Sequence, residues 1–527
     1  MPGSTTAPST GYGDPRPSFT GRPPSTTEDT ALAETLTQRG RVRVPAADHS
    51  LGRTVSGLAA LDFTRPGPAV ALAIVYLLTR LPWIGVGYGS DPDAARVAIS
   101  ADWLWRTGEF YPSRLPGYPL YELLASALFP FGPVVLNLAT LAISFGGVLI
   151  FATILKRLRV EPKGVLTLTF AFAPMIWINS SVTLDYLWGL TFLLAAYLAV
   201  IDKRWLVAGV LFGIAIGCRP TLAAMALPFF VLLFRERRLR PMVEFFAVAG
   251  IVGLIAFVPI IVNYRFAFLD FFDVRPTWGK FARTLGVEAF GLTTMLGFIV
   301  IALLSWRRFL RLPDLLRRDA HFAFALLAVL LVFMSFIRLP LEEAYLTPMM
   351  PFLILAVVRL FSRPAVLAFC ALLVMGGLVD FHTASDQGWT QPVAAFTGIR
   401  PQPGRVIVDY ELRHHRLRVA EGMRTLDLPP NSVVTAGFYY PIFVAQYRDE
   451  LELTMPEGVR RDLIGPLSDL SEARDERGVV YIWLMSPGDA RRYRAAGYRT
   501  YTMDLDGSDV LVTYENYLPQ HERFAVR

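Results

Sequence analysis

Cysteine is almost missing from this chain: Cys218 and Cys370 are the two in 527 residues, each inside an apolar run. That excludes a disulfide framework and a cysteine-based metal centre. Charge is scarce as well, at 18% Asp, Glu, Lys and Arg, where soluble proteins carry about 25%. Lysine nearly vanishes, with four residues against 47 arginines, a bias that fits a GC-rich prokaryotic genome. The six histidines (49, 321, 382, 414, 415 and 521) are scattered. His414-His415 falls in a basic amphipathic helix and reads as a solvated face. No glycine-rich phosphate loop and no internal repeat is found. The net charge of +7 is spread between apolar runs rather than gathered in one patch, which argues against a nucleic-acid partner.

Apolar residues, by contrast, make up 53% of the chain, with a mean hydropathy of +0.42. They come in runs of about twenty, the length that crosses a bilayer as a helix. An ordinary cytosolic enzyme and a disordered chain are both ruled out. The fold class expected is a polytopic α-helical membrane protein. Eleven spans are predicted, near 68–87, 134–155, 163–179, 183–201, 205–217, 221–234, 244–264, 288–306, 321–337, 344–361 and 364–381. The pair at 205–234 is short and divided by Arg219-Pro220. Residues 1–50, rich in Ser, Thr, Pro and Gly, lack the charged start and short apolar core of a secretory signal. They read as a disordered cytoplasmic tail.

The positive-inside rule sets the orientation. With the tail cytoplasmic, seventeen cations fall in cytoplasmic turns, among them Lys156, Arg157, Arg235, Arg240, Arg307 and Arg318. The opposite loops hold nine cations, and they share that face with Asp91, Asp93, Asp102, Glu109, Asp185, Asp270 and Asp273. The membrane domain covers 51–381, with a first outer loop at 87–133, and an odd span count places 382–527 outside. That region is charged, polar and free of spans. It reads as a helix near 408–425, then strands at Val433–Ala436, Val479–Met485, Tyr498–Leu505 and Val510–Tyr514, with helices at Tyr439–Tyr447 and 488–496. The alternation suggests a small extracytoplasmic α/β domain.

The first outer loop carries the most chemistry. Asp91 and Asp93 open an amphipathic stretch whose apolar positions are Val97, Ile99, Trp103 and Leu104, as in a helix lying flat on a membrane. A second short apolar segment, Pro119–Phe131, follows the turn Arg-Leu-Pro-Gly-Tyr-Pro. Carboxylates between two surface helices face a cavity at the membrane boundary, where a lipid-linked substrate meets a water-soluble one. Asp91 and Asp93 read equally as helix N-caps. An Asp-x-Asp pair also suits a divalent cation, with no further ligand cluster beside it.

Asp91-Pro92-Asp93, the flat helix, the run Ser113-Arg114-Leu115-Pro116-Gly117-Tyr118-Pro119-Leu120 and a long span ending in Lys156-Arg157-Leu158 together resemble the start of GT-C superfamily glycosyltransferases. The similarity is to the family 39-like members, which include protein O-mannosyltransferases and aminoarabinose transferases. Three later pieces agree: Ser180 to Leu187 around Asp185, Gly217-Cys218-Arg219-Pro220-Thr221, and Glu343-Ala344-Tyr345-Leu346-Thr347-Pro348. The resemblance spans about 68–381. The usual Asp-Glu pair is not matched, Arg114-Leu115 stands where His-Pro is frequent, and Glu343-Ala344 replaces the usual Arg before Tyr345.

The resemblance implies transfer of a sugar from a polyprenyl-phosphate donor to an acceptor hydroxyl on the outer side of the plasma membrane, with inversion. The acceptor is a lipid, a glycan or a protein. Such a displacement needs one base for the acceptor. Asp91 is the expected base, with Asp93 as the alternative. Asp185 orients the sugar or acceptor, or else caps its span. Arg219, Arg338 and Arg114 are the expected donor-phosphate ligands. Tyr118, Tyr345 and Glu343, within the same motifs, are the expected substrate contacts. Each arginine has a plain alternative. Arg219 snorkels, Arg338 pairs with Glu342 or Glu343, and Arg114 meets lipid headgroups. A charge in an apolar segment is costly, about 2.5–3.5 kcal/mol at mid-membrane on insertion scales, so a partner for Arg219 is expected. No cofactor is required, because cations can hold the leaving phosphate. The competing reading is a transporter or flippase of lipid-linked sugars. Transporters repeat their helix breaks in both halves, and the sequence shows one break, at Arg219-Pro220. A receptor or scaffold leaves the acidic loop unexplained.

Overall fold

The computed structural model describes residues 57–235, 237, 239–265, 277–383 and 399–425, with the shorter pieces 432–435, 441–443, 445–446, 460–462, 479–484, 499–505 and 508–514. The tail expected over 1–50 and the helix expected at 488–496 lie outside these residues. Helices of ten residues or more are α1 (Pro66–Ile84), α2 (Pro92–Thr107), α3 (Pro119–Leu128), α4 (Gly132–Arg157), α5 (Lys163–Phe172), α6 (Tyr186–Ile201) and α7 (Trp205–Cys218). They continue with α8 (Ala226–Arg235), α9 (Leu239–Tyr264), α10 (Leu292–Leu304), α11 (Ala320–Arg338), α12 (Met350–Leu360), α13 (Arg363–Met375) and α14 (Arg405–Thr425). Proline in the first turn opens α1, α2, α3, α4, α12 and α13, where its missing N–H is no loss and its fixed φ suits the helix.

Five segments are long and apolar enough to cross a membrane: α1, the run Pro119–Arg157 through α3 and α4, α9, α11, and the run Glu343–Leu360 ending in α12. A helix pair bent by 95°, Trp278–Ala289 with α10, makes a sixth, and α5, α6, α7, α13 and Pro220–Arg235 are apolar but shorter. Each expected span falls on one of these segments. The chain is a polytopic helical membrane protein.

One detail differs from expectation. The break at Arg219-Pro220 has a counterpart in the bent pair at 289–292, which the sequence did not announce. In α2 the small residues pack inward. Ala94, Ala95, Val97, Ala98 and Ala101 are buried, while Trp103 and Trp105 are exposed. Small side chains let α2 lie close on α3, where the Ser126 hydroxyl donates to the Ala101 carbonyl at 3.0 Å. The same device joins α7 to α9. A Cβ on Gly213 would stand 2.6 Å from Val252 Cβ, so only glycine admits this approach.

Beyond α13, β1 (Val379–Thr383) pairs antiparallel with β2 (Ile399–Pro403). After α14 come β3 (Ser432–Thr435), β4 (Arg460–Asp462), β5 (Val479–Leu484), β6 (Arg499–Leu505) and β7 (Ser508–Tyr514). They form one mixed sheet in the order β4-β3-β5-β7-β6, parallel from β4 to β5 and antiparallel from β5 to β6. Four of these strands match the sequence reading. The three-residue β4 and the β1–β2 pair are additions, too short to carry a periodic signal.

Candidate active site

Five stretches deliver the charged side chains. The loop after α1 ends at Asp91, whose carboxylate accepts the Asp93 amide at 2.8 Å and caps α2. The second stretch is the turn Arg114–Gly117, closed by the Gly117 amide on the Arg114 carbonyl at 2.8 Å. Gly117 holds a φ of +91°, and a Cβ there would collide with Ile260, so glycine is needed on both counts. Buried Glu122 in α3 accepts the amides of Ser113 (2.8 Å) and Tyr118 (3.2 Å), which fixes the turn on both sides of Arg114. Asp185 stands at the start of α6. Arg219 follows α7 in extended conformation (φ −149°, ψ 99°), because the helical region is disfavoured ahead of Pro220. The helix stops, and the guanidinium enters the interior. The last stretch is Glu342 to Tyr345, just before α12.

These side chains form one line of alternating charge. Arg96 Nη1 lies 3.0 Å from Asp93 Oδ1, and Arg114 Nε 2.9 Å from Asp93 Oδ2. Arg114 Nη2 continues to Asp185 Oδ1 at 2.8 Å, and Arg219 Nη1 meets Asp185 Oδ2 at 2.6 Å. Asp185 is wholly buried and Arg219 is 4% exposed. Pairing is what makes such burial tolerable, since an unpaired ion here would keep its full desolvation penalty. Aromatic faces complete the packing. The Arg219 guanidinium carbon is 3.7 Å from the Tyr186 ring centre and 5.8 Å from that of Tyr345, and Arg114 sits 4.1 Å from that of Tyr118. The Arg219 Nε is buried with no hydrogen-bond acceptor among the described residues.

At the other end of the line the acids gather. Carboxylate oxygens of Asp91, Asp93 and Glu342 lie within 4.8 Å of one another, and Glu342 accepts the Tyr186 hydroxyl at 2.9 Å. Burial, and then the Asp93 charge, push the Asp91 carboxyl up to about 6. Burial followed by Asp91 and Asp93 raises Glu342 well above the carboxylate range. Burial opposes the charge on Arg114, but Tyr118, Asp93 and Asp185 outweigh it and hold the group above its usual value.

Asp91, Asp93, Arg114, Tyr118, Asp185, Arg219 and Tyr345 are therefore brought together. Arg338 is not buried with them; it is exposed at the end of α11. Glu343 faces Arg405 at 3.1 Å, and its neighbour Glu342 joins the acids instead. Asp185 makes no capping bond to α6; its two arginines take its place there. Arg219 has the partner its burial requires. Sequence reasoning missed Glu342, Glu122, Arg96 and Tyr186. Glu122 had a signal, an acid in the apolar run PLYELL.

No protein-family model matches the chain, and no curated protein matches it. Two solved structures resemble its fold. One is the crystal structure of ArnT from Cupriavidus metallidurans bound to undecaprenyl phosphate, 12% identical over 85% of this chain and 98% of that one, with a TM-score of 0.46. The other is the apo state of that protein, with the same identity and coverage and a TM-score of 0.45. At such figures the chemistry of the site rests on its own residues.

Proposed function

We propose that this chain is a membrane glycosyltransferase. It moves a sugar from a polyprenyl-phosphate donor to an acceptor hydroxyl, with inversion, on the outer face of the plasma membrane. The observation that carries the reading is the buried line Asp93–Arg114–Asp185–Arg219 with the raised carboxyl of Asp91 beside it. A general base works best with a pKa near the working pH. Asp91 meets that condition. Asp93 has both oxygens engaged by Arg96 and Arg114. In this reading Asp91 takes the proton from the acceptor hydroxyl, whose oxygen attacks the anomeric carbon as the bond to the donor phosphate breaks. The phosphate leaves as an anion and needs positive charge rather than a proton. Arg219, with a buried N–H awaiting an acceptor, and Arg114 supply it. Asp185 holds both arginines in register, and the rings of Tyr118, Tyr186 and Tyr345 line the sugar's place. Arg338, exposed, is a secondary contact for the lipid phosphate.

Asp91, Asp93 and Glu342 offer three oxygens to a divalent cation. Asp93 already serves two guanidinium groups, however, and Arg114 holds its charge against the trio. The donor set favours arginine over metal. The test uses nanodiscs with a panel of undecaprenyl-phosphate sugars. The wild-type protein should transfer one of them with or without a chelator. The Asp91→Asn, Asp93→Asn double variant should lose roughly 100- to 10,000-fold, the usual worth of a general base, while remaining monodisperse. Full activity in the double variant overturns the assignment of the base.

A further inference from the structure

Helix α14 follows the last apolar helix, and one face of it lies on the loops that bear the site. Val406, Asp409, Tyr410, Arg413 and Leu417 recur at the three- and four-residue spacing of a single helical face. Val406 clusters with Trp83, Trp177 and Ile178, and the Tyr410 ring centre is 5.2 Å from that of Trp83. Arg413, 1% exposed, is clamped to Asp409 (Nε to Oδ2, 2.9 Å) and donates to the Ser181 carbonyl at 2.7 Å and the Ile178 carbonyl at 3.3 Å. The second oxygen of Asp409 accepts the Ser90 hydroxyl. A Cβ on Gly87, where φ is +60°, would stand 3.2 Å from Leu417 Cδ2. Arg405, at the start of α14, pairs with Glu343 at 3.1 Å.

Three of these contacts fall beside site residues: Ser90 precedes Asp91, Glu343 follows Glu342, and Ser181 lies four residues before Asp185. Arg416, also on α14, acts on Asp91 through its charge. We propose that α14 is a positioning element, in which the Asp409–Arg413 pair, acting through Ser90 and the 178–181 turn, fixes Asp91 relative to the buried line of charge. The membrane helices alone then leave the site incomplete. The helix was expected to carry a solvated basic face, yet it buries an arginine against the membrane domain. Such a burial sets geometry as well as fold, because a guanidinium spanning two loop carbonyls and a carboxylate has one arrangement that satisfies all three.

The catalytic consequence rests on the transferase reading, so the test has a second readout independent of transfer. Full-length Ser90→Ala, Ser90→Thr and Asp409→Asn are compared in nanodiscs. Transfer kinetics should show a kcat loss of roughly 10- to 100-fold in Ser90→Ala and Asp409→Asn, the scale of a misplaced catalytic group. Donor KM should stay within about twofold, since uniform donor binding is untouched. Ser90→Thr, which keeps the hydroxyl, should restore kcat. The second readout is the pH dependence of Asp91 modification by a hydrophobic carbodiimide, followed by mass spectrometry. The Asp91 carboxyl is pushed up to about 6 by burial and the Asp93 charge, against the pull of Arg114 and Arg416, and its midpoint should shift in Ser90→Ala and return in Ser90→Thr. Unchanged kcat and midpoint in both Ser90→Ala and Asp409→Asn overturn the proposal. If the wild type transfers nothing while the midpoint still moves, the transferase reading fails and the positioning role stands.

Discussion

Arg80 and Arg219 are both buried among the apolar helices of this membrane protein, and they are accommodated in different ways. Arg80, wholly buried in α1, has no carboxylate partner among the described residues. Its guanidinium carbon lies 3.8 Å from the ring centre of Tyr76, 4.4 Å from Trp177 and 4.9 Å from Phe172. All three nitrogens donate: Nε to Ser180 Oγ, Nη1 to Thr79 Oγ1 and Nη2 to the Ala171 carbonyl. Arg219 pairs with Asp185 and keeps a buried Nε without an acceptor. A buried cation whose every nitrogen already has a protein acceptor is structural, because its energy is spent within the fold. One with a donor to spare is poised for something that arrives later. Most buried polar groups find a partner; among the described residues Arg219 Nε is one of several that do not.

The largest effect should separate the two by stability. Arg80→Ala empties the aromatic cage and strands the Ala171 carbonyl, while the Ser180 hydroxyl keeps its bond to the Trp177 carbonyl. About 2–4 kcal/mol should be lost, from the cation–π contacts and the unsatisfied carbonyl, read as a lower unfolding midpoint in detergent. Any residual folded Arg80→Ala protein should bind undecaprenyl phosphate as the wild type does. Weakened binding with an unchanged midpoint would reverse the roles assigned here. Arg219→Lys is the sharper partner experiment. Lysine keeps a charge for Asp185 but cannot offer a planar fork. The unfolding midpoint should shift less than in Arg80→Ala, while undecaprenyl phosphate binding weakens by about 10-fold, the worth of one charge-assisted hydrogen bond. Equal binding by Arg219→Lys and wild type would make Arg219 a second Arg80.

The contrast also marks how far the sequence could be read. The apolar runs, the Arg219-Pro220 break and the acids of the first loop were legible, because length, a proline and charge in an apolar setting are local signals. Arg219's need for a partner followed from the cost of burying charge, and Asp185 is that partner. The choice of Glu342 over Glu343 was not legible. Adjacent residues point in different directions, and the segment winds as a 3-10 turn from Glu343 to Met349, so no periodic rule assigns the face. Glu122 acts by holding backbone amides nine and four residues away, and α14 by reaching loops from more than 200 residues downstream. Long-range contacts of this kind leave no trace in spacing.

The mildest perturbation is pH, and it acts on the acid end of the line alone. Burial and the Asp93 charge disfavour the ionised form of Asp91 and push its carboxyl up to about 6. With Asp91 as the proposed base, transfer needs its carboxylate, so it should be nearly flat from pH 7 to 8. It should then fall about tenfold for each unit below 6, following a single proton. Stability runs the other way. A carboxyl whose folded pKa is raised above its unfolded value of about 3.9 favours the folded state at low pH, and that contribution fades as pH rises through 6. Activity and the Asp91 share of the unfolding midpoint, read as wild type minus Asp91→Asn, should thus move in opposite directions across pH 5 to 7. Parallel changes in both would place the titrating group elsewhere and remove Asp91 as the base.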